Sequence, residues 1–563
     1  MKISGLALGA EGVRRGRAQA VVTAGQLLPA IVLAFVASST HATQIDTGNP
    51  DVSLRWDNTV KYSTAVRVKG ADDALLTNPN LDDGDRNFGK GIVSNRFDLL
   101  SELDFSYQKR FGFRVSGAAW YDTVYNRRND NPGLAGGAFP NQTSVPYDRF
   151  TDATRRMQGR DSELLDAFVY GKFDLGGHHA SLRVGRHSLI WGESLFFGAN
   201  AIAGGQMPVD VAKLVSVPNT QFKEVIRPVP QISGQLQLSP NVSVGAYYQT
   251  KFVPSRLQAV GSYFSNNDLT VDGAENMWGM TGLVPRLATQ DAKNSGQGGL
   301  QLRIRTDEAD FGLYAIRFHS KTPQLVPKIG MGPTGPQPVG YYLAYHENVN
   351  AFGASVSKTF GDFNVAVEAS MRTNQDLASS QAADLSGLGM PAKNNSDDPG
   401  YAVGRTAHVN VSVLGNLGRN FLWKEATLTG EMAWNRVLSI TKNPDAVDPN
   451  ATRDGIAFRV VVEPMYRQVF PGVDISVPIG VSYAPKGSRP MAMHPNAWIP
   501  AGGGDISLGL NASYLDAWRF SLSYTHYYGP LGTLTDMSAN NAYTYKQTMK
   551  DRDFIALSMR YTF

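Results

Sequence analysis

The last nine residues, 555–563, constrain the fold of this chain more than any other segment. They alternate between apolar and polar or small side chains: Ile555, Leu557, Met559, Tyr561 and Phe563 against Ala556, Ser558, Arg560 and Thr562. A period of two predicts a β-strand with one apolar face. Such a strand fits the edge of a soluble sandwich or the wall of a barrel, and recurrence of the pattern along the chain decides between them.

The pattern does recur. Residues 54–68 place apolar side chains on one face, while the opposite face carries Arg55, Asp57, Lys61 and Arg67. Hairpins of alternating strands are then predicted within residues 97–121, 165–185, 232–248, 300–318, 352–371, 409–434, 458–483 and 506–524. With the first and last strands they give about 18 strands, an even number that places both chain ends on one side. Without the weaker strands the count would be 16 or 14, by the same rule.

Short and long connections alternate between these strands. The long ones include residues 69–94, 126–161, 191–230 and 251–297. Bacterial outer-membrane barrels have short periplasmic turns and long outer loops, whereas a soluble sandwich or propeller has short loops at both ends. We therefore predict an all-β fold: one antiparallel transmembrane β-barrel of the outer membrane, with its loops, over residues 43–563. Its end at Tyr561 and Phe563 resembles the C-terminal assembly signal of such barrels, which implies contact with the assembly machinery and outer-membrane lipid.

The N-terminus is typical of a secretory signal peptide. Three arginines within residues 14–17 precede an uncharged stretch up to Ser39, and Thr40-His41-Ala42 supplies the small residues that a signal peptidase accepts. We predict cleavage after Ala42 and export from a Gram-negative cell through the inner membrane. The length would also allow a transmembrane anchor, but Pro29 and the Ser/Thr/Ala end favour cleavage.

Composition excludes several classes of protein. The chain has no cysteine, so it has neither a disulfide framework nor a cysteine metal site. The formal charge is +4, and residues 1–42 contribute most of it, so the mature chain lacks the charge balance of a nucleic-acid-binding protein. No uncharged apolar run of helix-spanning length follows residue 42, so a membrane location requires a closed barrel.

One segment departs from the strand pattern. Continued alternation would place Arg186 on the lipid face, which costs about 2–4 kcal/mol at the bilayer midplane, so the chain is expected to bulge or leave the wall there. The following stretch, residues 200–211, is too apolar for a freely solvated loop. We predict that residues 191–230 fold inward as a constriction, and a packed outer cap is the alternative. The residues predicted to line the pore or anchor the loop are Arg183, Arg186, His187, Trp191, Glu193, Asn200, Gln206 and Asp210.

These residues also carry a family resemblance. The runs 47–51, 54–62 and 80–88, with Gly185-Arg186-His187 and Trp191-Gly192-Glu193-Ser194, resemble the proteobacterial outer-membrane family catalogued as domain of unknown function 1302. The resemblance spans essentially the whole mature chain. It implies a β-barrel, often encoded near an RND-type exporter or another envelope protein and near catabolism of sterols, terpenes or other hydrophobic compounds. It supplies no catalytic residues.

Motifs for catalysis and for cofactor or metal binding are weak. Gly330-Met331-Gly332-Pro333-Thr334-Gly335 matches a dinucleotide fingerprint, but prolines prevent the helix it requires, so we expect a loop. His187, Glu193 and Ser194 lack a nucleophile elbow, so we expect no enzyme and no cofactor. The run Asp82, Asp83, Asp85 has a spacing similar to that of a calcium loop but lacks the closing glutamate, and a solvated turn is predicted with calcium left open.

The expected function is passage of a small hydrophobic or amphipathic compound across the outer membrane. Selectivity would come from pore width and from the groups that line it. The alternatives are a barrel that docks envelope proteins without conducting and, less favoured, an outer-membrane hydrolase. Exposed aromatic residues on the periplasmic turns would indicate docking, and these turns are expected to be short and polar. The sequence leaves substrate, direction and oligomeric state open.

Overall fold

The computed structural model of the protein describes residues 43–563. The predicted signal peptide, residues 1–42, lies outside the described residues and stays a prediction. Within 43–563, no helix is long and apolar enough to cross a membrane.

Eighteen antiparallel strands form a closed wall, which confirms the predicted number. In chain order they are β1 (Val52–Arg67), β2 (Gly91–Tyr107), β3 (Phe111–Asp122), β4 (Arg160–Leu175), β5 (His178–His187), β6 (Val229–Ser239), β7 (Val242–Gln249), β8 (Gln297–Arg305), β9 (Asp310–Phe318), β10 (Val349–Phe360), β11 (Phe363–Asp376), β12 (Val403–Leu417), β13 (Glu425–Lys442), β14 (Asp454–Phe470), β15 (Val473–Ser476 and Ile479–Tyr483), β16 (Gly504–Tyr514), β17 (Trp518–Tyr528) and β18 (Phe554–Thr562). The interruption in β15 falls at Pro478, which has no N–H to donate to the ladder. A short strand, Thr43–Ile45, extends the sheet beside β1.

The first and last strands close the barrel. β1 pairs with β18 from Thr59 opposite Thr562 to Arg67 opposite Phe554. The backbone N–H of the terminal Phe563 donates to the carbonyl of Asn58 at 2.9 Å, and the N–H of Asn58 donates back at 2.8 Å. Closure pairs each of the 18 wall strands with a neighbour on both sides, so the backbone polar groups of the wall are satisfied as a lipid environment requires.

The two faces of the wall differ as the alternation predicts. In β1, Asp57, Lys61 and Ser63 are buried toward the lumen, whereas Trp56 is 49% exposed on the outer surface. Large apolar side chains such as Leu300 and Phe352 continue this outer band on other strands. An apolar band around a polar interior is the surface that a bilayer covers.

The long connections build a packed cap over one mouth of the barrel. Its strands are Asn276–Gly279, Gly282–Pro285, Gln324–Gly332, Gly335–Ala344, Asp384–Gly387, Thr535–Asp536 and Ala542–Tyr543, and its 3-10 turns are Asp73–Leu75, Leu134–Gly136, Pro444–Ala446, Pro495–Ala497 and Met537–Ala539. Short helical turns lie at Asp83–Arg86, Asp152–Thr154 and Arg155–Gly159. The glycine motif at 330–335 forms the tip of a β-hairpin and has no following helix. Within residues 43–563, the connections at the opposite mouth are short turns, which in bacterial barrels face the periplasm.

The acidic run in the first long connection is buried, so the prediction of a solvated turn is wrong. Asp82 is 3% and Asp85 2% exposed. Two arginines pair with Asp85. Arg67, at the end of β1, lies 3.1 Å from it, and Arg552, at the end of the last long connection, lies 2.7 Å from it, each measured from N to O. These two arginines compensate the buried charge of Asp85. Both are distant from Asp85 in sequence, so the pairing could not be predicted from the local sequence.

Candidate functional site in the barrel lumen

The connection between β5 and β6 runs through the lumen. We call residues 188–228 the lumen segment; its short helices are α1 (Ala203–Gln206), α2 (Val211–Ser216) and α3 (Phe222–Val225). β5 keeps its register with β4 through Arg186 and with β6 through His187, so the wall strand does not bulge at Arg186. Arg186 instead stays in the ladder opposite Ala167 and Pro230, and the chain leaves the wall at Ser188.

A carboxylate on the far wall holds the start of the lumen segment. Glu431, on β13, accepts hydrogen bonds from the backbone N–H groups of Leu195 and Phe197, both at 3.0 Å, and from that of Phe196. The hydroxyl of Ser194 also donates to it, at 2.8 Å. Since β13 lies eight strands from β5 in an 18-stranded wall, the segment crosses the barrel.

A second carboxylate, Glu368 on β11, binds the segment at two further points. It accepts from the backbone N–H of Glu193 at 2.8 Å and from that of Ile202 at 2.6 Å. Arg372, on the same strand face, donates to the carbonyls of Ala199, Asn200 and Ala201 at 3.1, 2.9 and 2.9 Å. Oppositely charged side chains therefore satisfy the N–H and the C=O groups of one irregular stretch, which allows it to be buried.

Asn200 and Gln206 anchor the middle of the segment. Asn200 is 1% exposed; its amide donates to Asn410 on β12 at 2.9 Å, and its carbonyl oxygen accepts from Asn435 at 3.1 Å. Gln206 accepts from the backbone N–H of Trp191 at 2.7 Å, which ties the beginning of the segment to α1. These contacts place both side chains in loop anchoring rather than in an open passage.

Trp191 is buried against the wall. It is 8% exposed, and its ring centroid lies 5.0 Å from that of Tyr247 and 6.4 Å from that of Tyr314. Ile202, at the N-terminus of α1, belongs to the same apolar cluster. The apolar character that predicted inward folding therefore comes from packing of the segment on the lumen wall.

Asp210 anchors the part of the lumen segment that runs back toward the wall. Its carboxylate accepts from the backbone N–H of Lys213, which caps α2, and pairs with Arg256 at 2.6 Å. Arg256 also pairs with Glu163 of β4 at 2.8 Å, and Lys213 contacts the same glutamate. The salt bridges join the lumen segment, the wall and the connection 250–296 in one network.

Below the segment lies a cavity of about 630 Å³, the inner vestibule. Its lining includes Arg114, Lys172, Arg183, His187, Phe222 and Ile226. Lys172 lies a few residues from the short turn at Gly176 and Gly177, so the vestibule is at the periplasmic half of the barrel. Arg183 extends over the ring of Phe168 at 5.8 Å, and the imidazole of His187 hydrogen-bonds Ser233 at 2.7 Å.

Above the segment, the outer cap encloses a smaller cavity of about 180 Å³, the outer cavity. Its apolar lining includes Val211, Val215, Leu257, Phe264, Val271 and Met549. α2 contributes to this cavity, whereas α3 contributes Phe222 to the vestibule. The lumen segment therefore separates an apolar outer space from a charged inner space.

The predicted site residues lie on the segment and on β5, and their partners on the far wall were not predicted. Glu368, Arg372, Asn410 and Glu431 are polar residues on lumen faces, and every wall strand carries such residues, so alternation does not distinguish them. The predicted Glu193 acts through its backbone, whose N–H and carbonyl bond Glu368 and Ser412. Its neighbour Ser194 donates to Glu431 rather than to a histidine.

The closed wall with its apolar outer band defines a β-barrel of the outer-membrane type, and one connection of this barrel crosses the lumen. The model of the family described as protein of unknown function (DUF1302) matches residues 23–563, and the chain belongs to that family. No curated protein matches the sequence.

The fold is similar to those of solved outer-membrane proteins at low sequence identity. OccAB4 of Acinetobacter baumannii shares 11% identity with a TM-score of 0.42, over 93% of this chain and 100% of that chain. OpdK of Pseudomonas aeruginosa, solved with vanillate, shares 9% identity with a TM-score of 0.39, over 91% of this chain and 98% of that chain. A similarity at this level does not carry the ligand of OpdK over to this protein.

Proposed function

We propose that the protein is an outer-membrane channel for small hydrophobic or amphipathic compounds. The observation that carries the proposal is the order of spaces along the barrel axis: the apolar outer cavity, the lumen segment, and the larger inner vestibule. Transfer of an apolar solute from water into the outer cavity costs little free energy, since the lining of the cavity offers dispersion contacts in place of water. The vestibule then supplies both exposed aromatic surface, at Phe222, and charged groups.

The segment that separates the two spaces is the proposed constriction. Its backbone is held by Glu368 and Glu431, so its position depends on side chains of the far wall. None of residues 188–228 belongs to a wall strand, so they can change without opening the barrel. Pore width and the groups on this segment would then set which solutes pass.

Liposome swelling with solutes of matched size tests the proposal. Phenol, benzoate and small sugars separate apolar, amphipathic and polar character at similar dimensions. We expect the parent protein to admit phenol and benzoate faster than sugars, and a variant with residues 196–207 replaced by a short Gly/Ser bridge to admit all of them faster.

A matched control shortens the outer cap instead. Replacing residues 330–337 by an Asn-Gly turn trims the tip of a cap hairpin beyond the pair Ile329 and Pro338 and leaves the lumen segment intact. This control should behave as the parent does. Equal swelling rates for the 196–207 variant and the parent would contradict a constriction at the segment, and rates no higher than those of protein-free liposomes for every solute would contradict a channel.

A second candidate function rests on one turn at the periplasmic mouth. The turn between β12 and β13 carries Phe421, which is 94% exposed, and Leu422, which is 57% exposed. The expectation that these turns are all polar is therefore wrong at this position. An exposed apolar tip fits a barrel that docks a periplasmic envelope protein or a component of an RND-type transporter.

Crosslinking from this turn separates docking from conduction. With a photoreactive residue at position 424, we expect a crosslinked periplasmic partner that is lost in Phe421→Ser with Leu422→Ser and kept in Leu515→Ser, an exposed apolar change in another short turn. Loss of the crosslink with unchanged swelling would support docking beside conduction. Equal crosslinking in all three proteins would remove the docking candidate.

A further inference from the structure

Three carboxylates from two connections meet within the outer cap. Asp82 and Asp83 lie at the start of the helical turn Asp83–Arg86, and Asp268 lies in the connection between β7 and β8. One oxygen of each carboxylate is within 4.8 Å of the others. Asp82 is 3% and Asp268 2% exposed. The cluster is distinct from the lumen segment and its anchors.

The positive charge around the cluster does not balance it. Arg86 pairs with Asp82, and Arg552 is committed to Asp85 in a bidentate contact of 3.0 and 2.7 Å. The side chain of Asp83 forms neither a hydrogen bond nor an ion pair among residues 43–563. Burial raises the pKa of Asp82 to about 6, and burial with the charge of Asp82 raises the pKa of Asp83 to about 7.

An unsatisfied atom points to a missing ligand. Oδ2 of Asp268 accepts from the backbone N–H of Asp83 at 3.2 Å, but Oδ1, which is buried, has no hydrogen-bond partner among residues 43–563. A buried carboxylate oxygen without a partner is costly unless a cation or a proton occupies the space beside it. The backbone N–H of Asp268 donates to the carbonyl of Asn80 at 2.9 Å, so the two connections are already held in register.

We propose that Asp82, Asp83 and Asp268 bind a calcium ion that joins the first long connection to the connection between β7 and β8. The three side chains offer oxygen alone, with no nitrogen or sulfur, which matches a hard cation rather than zinc or copper. Calcium accepts irregular oxygen geometry and completes its coordination with carbonyls or water, whereas magnesium demands a near-ideal octahedron.

The site is coupled to the outer cavity through one stretch of chain. Phe264 and Val271, which line that cavity, lie on either side of Asp268 in sequence. A cation on Asp268 would therefore fix the wall of the outer cavity as well as the cap. The proposal stands whether or not the barrel conducts, since it concerns binding and loop stability.

Calcium titration of the full-length barrel in detergent, after removal of divalent ions with EDTA, tests the site. Isothermal titration calorimetry should show one calcium site in the parent, with binding weakened at least about tenfold in Asp268→Asn and in Asp83→Asn. Asp397→Asn makes the same chemical change in another outer connection and should bind as the parent does.

Limited proteolysis supplies a second readout. Calcium should slow cleavage within residues 69–90 and 250–296 in the parent and in Asp397→Asn, and have no effect in Asp268→Asn. If Asp268→Asn fails to fold, the test uses Asp83→Asn instead, because the Asp83 side chain makes no hydrogen bond or ion pair within residues 43–563 that the substitution would break. Absence of calcium binding to the parent would overturn the proposal, as would equal binding by the parent and both cluster variants. Slower cleavage of the same residues at pH 5, in a parent protein that binds no calcium, would also overturn the proposal. The three carboxylates would then share a proton instead of a calcium ion.

Discussion

Glu431 accepts a 3.0 Å hydrogen bond from the backbone N–H of Leu195, although the two residues are 236 positions apart in sequence. This contact fastens a segment that begins on β5 to the wall on the far side of the barrel. A carboxylate that receives several backbone N–H groups is a strong, localised anchor, because charged acceptors form the shorter and stronger hydrogen bonds. The position of the constriction therefore depends on wall residues as much as on the segment.

Glu431→Gln should loosen the lumen segment and leave the barrel inserted. The amide replaces one acceptor with a donor that faces other N–H groups, and a lost hydrogen bond to a charged acceptor costs about 1.5–3 kcal/mol. Planar-bilayer recordings should show larger and noisier single-channel conductance. Glu308→Gln, at an exposed short turn where the glutamate contacts Lys358, is the control and should match the parent. Identical traces for all three proteins would show that Glu431 does not position the constriction.

Trp191→Ala should relax solute selectivity without unfolding the wall. Truncating a buried tryptophan costs about 3–5 kcal/mol, and here the loss falls on the packing of the segment against Tyr247 and Tyr314. Solute-size cut-off in liposomes should rise, while the gel shift between unheated and boiled samples should persist. Trp423→Ala, in a short periplasmic turn, should leave the cut-off unchanged; a shift as large as that of Trp191→Ala would contradict a local effect.

Phe563→Asp should abolish insertion. The terminal ring stacks on Tyr561 with centroids 5.5 Å apart, and the terminal residue pairs with Asn58 where β18 meets β1. A charge there disfavours both the aromatic contact and the lipid interface. Heat-modifiable protein in outer-membrane fractions should be lost, while Phe563→Trp should retain it. Normal yield of Phe563→Asp would show that the terminal strand is not the assembly signal.

Acidification below neutral pH should loosen the outer cap at His494. Burial lowers the pKa of His494 to about 4, below the ordinary value near 6.5, so the unfolded cap binds the proton more readily than the folded cap. The stabilising contribution is therefore present at pH 7 and is lost progressively as pH falls from about 6.5 toward 4.

Proteolysis of the cap at pH 7 and at pH 5 measures this effect. His494 packs against Tyr543 and lines the outer cavity, so cleavage within residues 484–503 should accelerate at pH 5. His494→Gln should reduce that acceleration, whereas His178→Gln, at an exposed short turn, should not. Equal acceleration in His494→Gln and the parent would assign the pH dependence to other groups.

Alternation in the sequence was sufficient to predict the wall. Successive residues of a strand point to opposite faces, so the face of each residue follows from its place in the strand. In this barrel one face meets lipid and the other meets a polar lumen, so apolar and polar residues alternate in the sequence. All eight hairpins, the closing strand and the even number of strands follow from this local rule, and β1 and β18 pair as a closed barrel requires.

The contacts within the barrel were decided by tertiary structure. Ile202 and Glu368 are 166 residues apart, and they meet because closure of the wall places β11 across the lumen from β5. Asp82 and Asp268 likewise come together through packing of two connections, so a run predicted to be solvated is a buried cluster. Strand periodicity predicts which way a side chain points. The partner of that side chain across the lumen depends instead on the circumference of the barrel and on the path of the lumen segment, which has no periodic pattern.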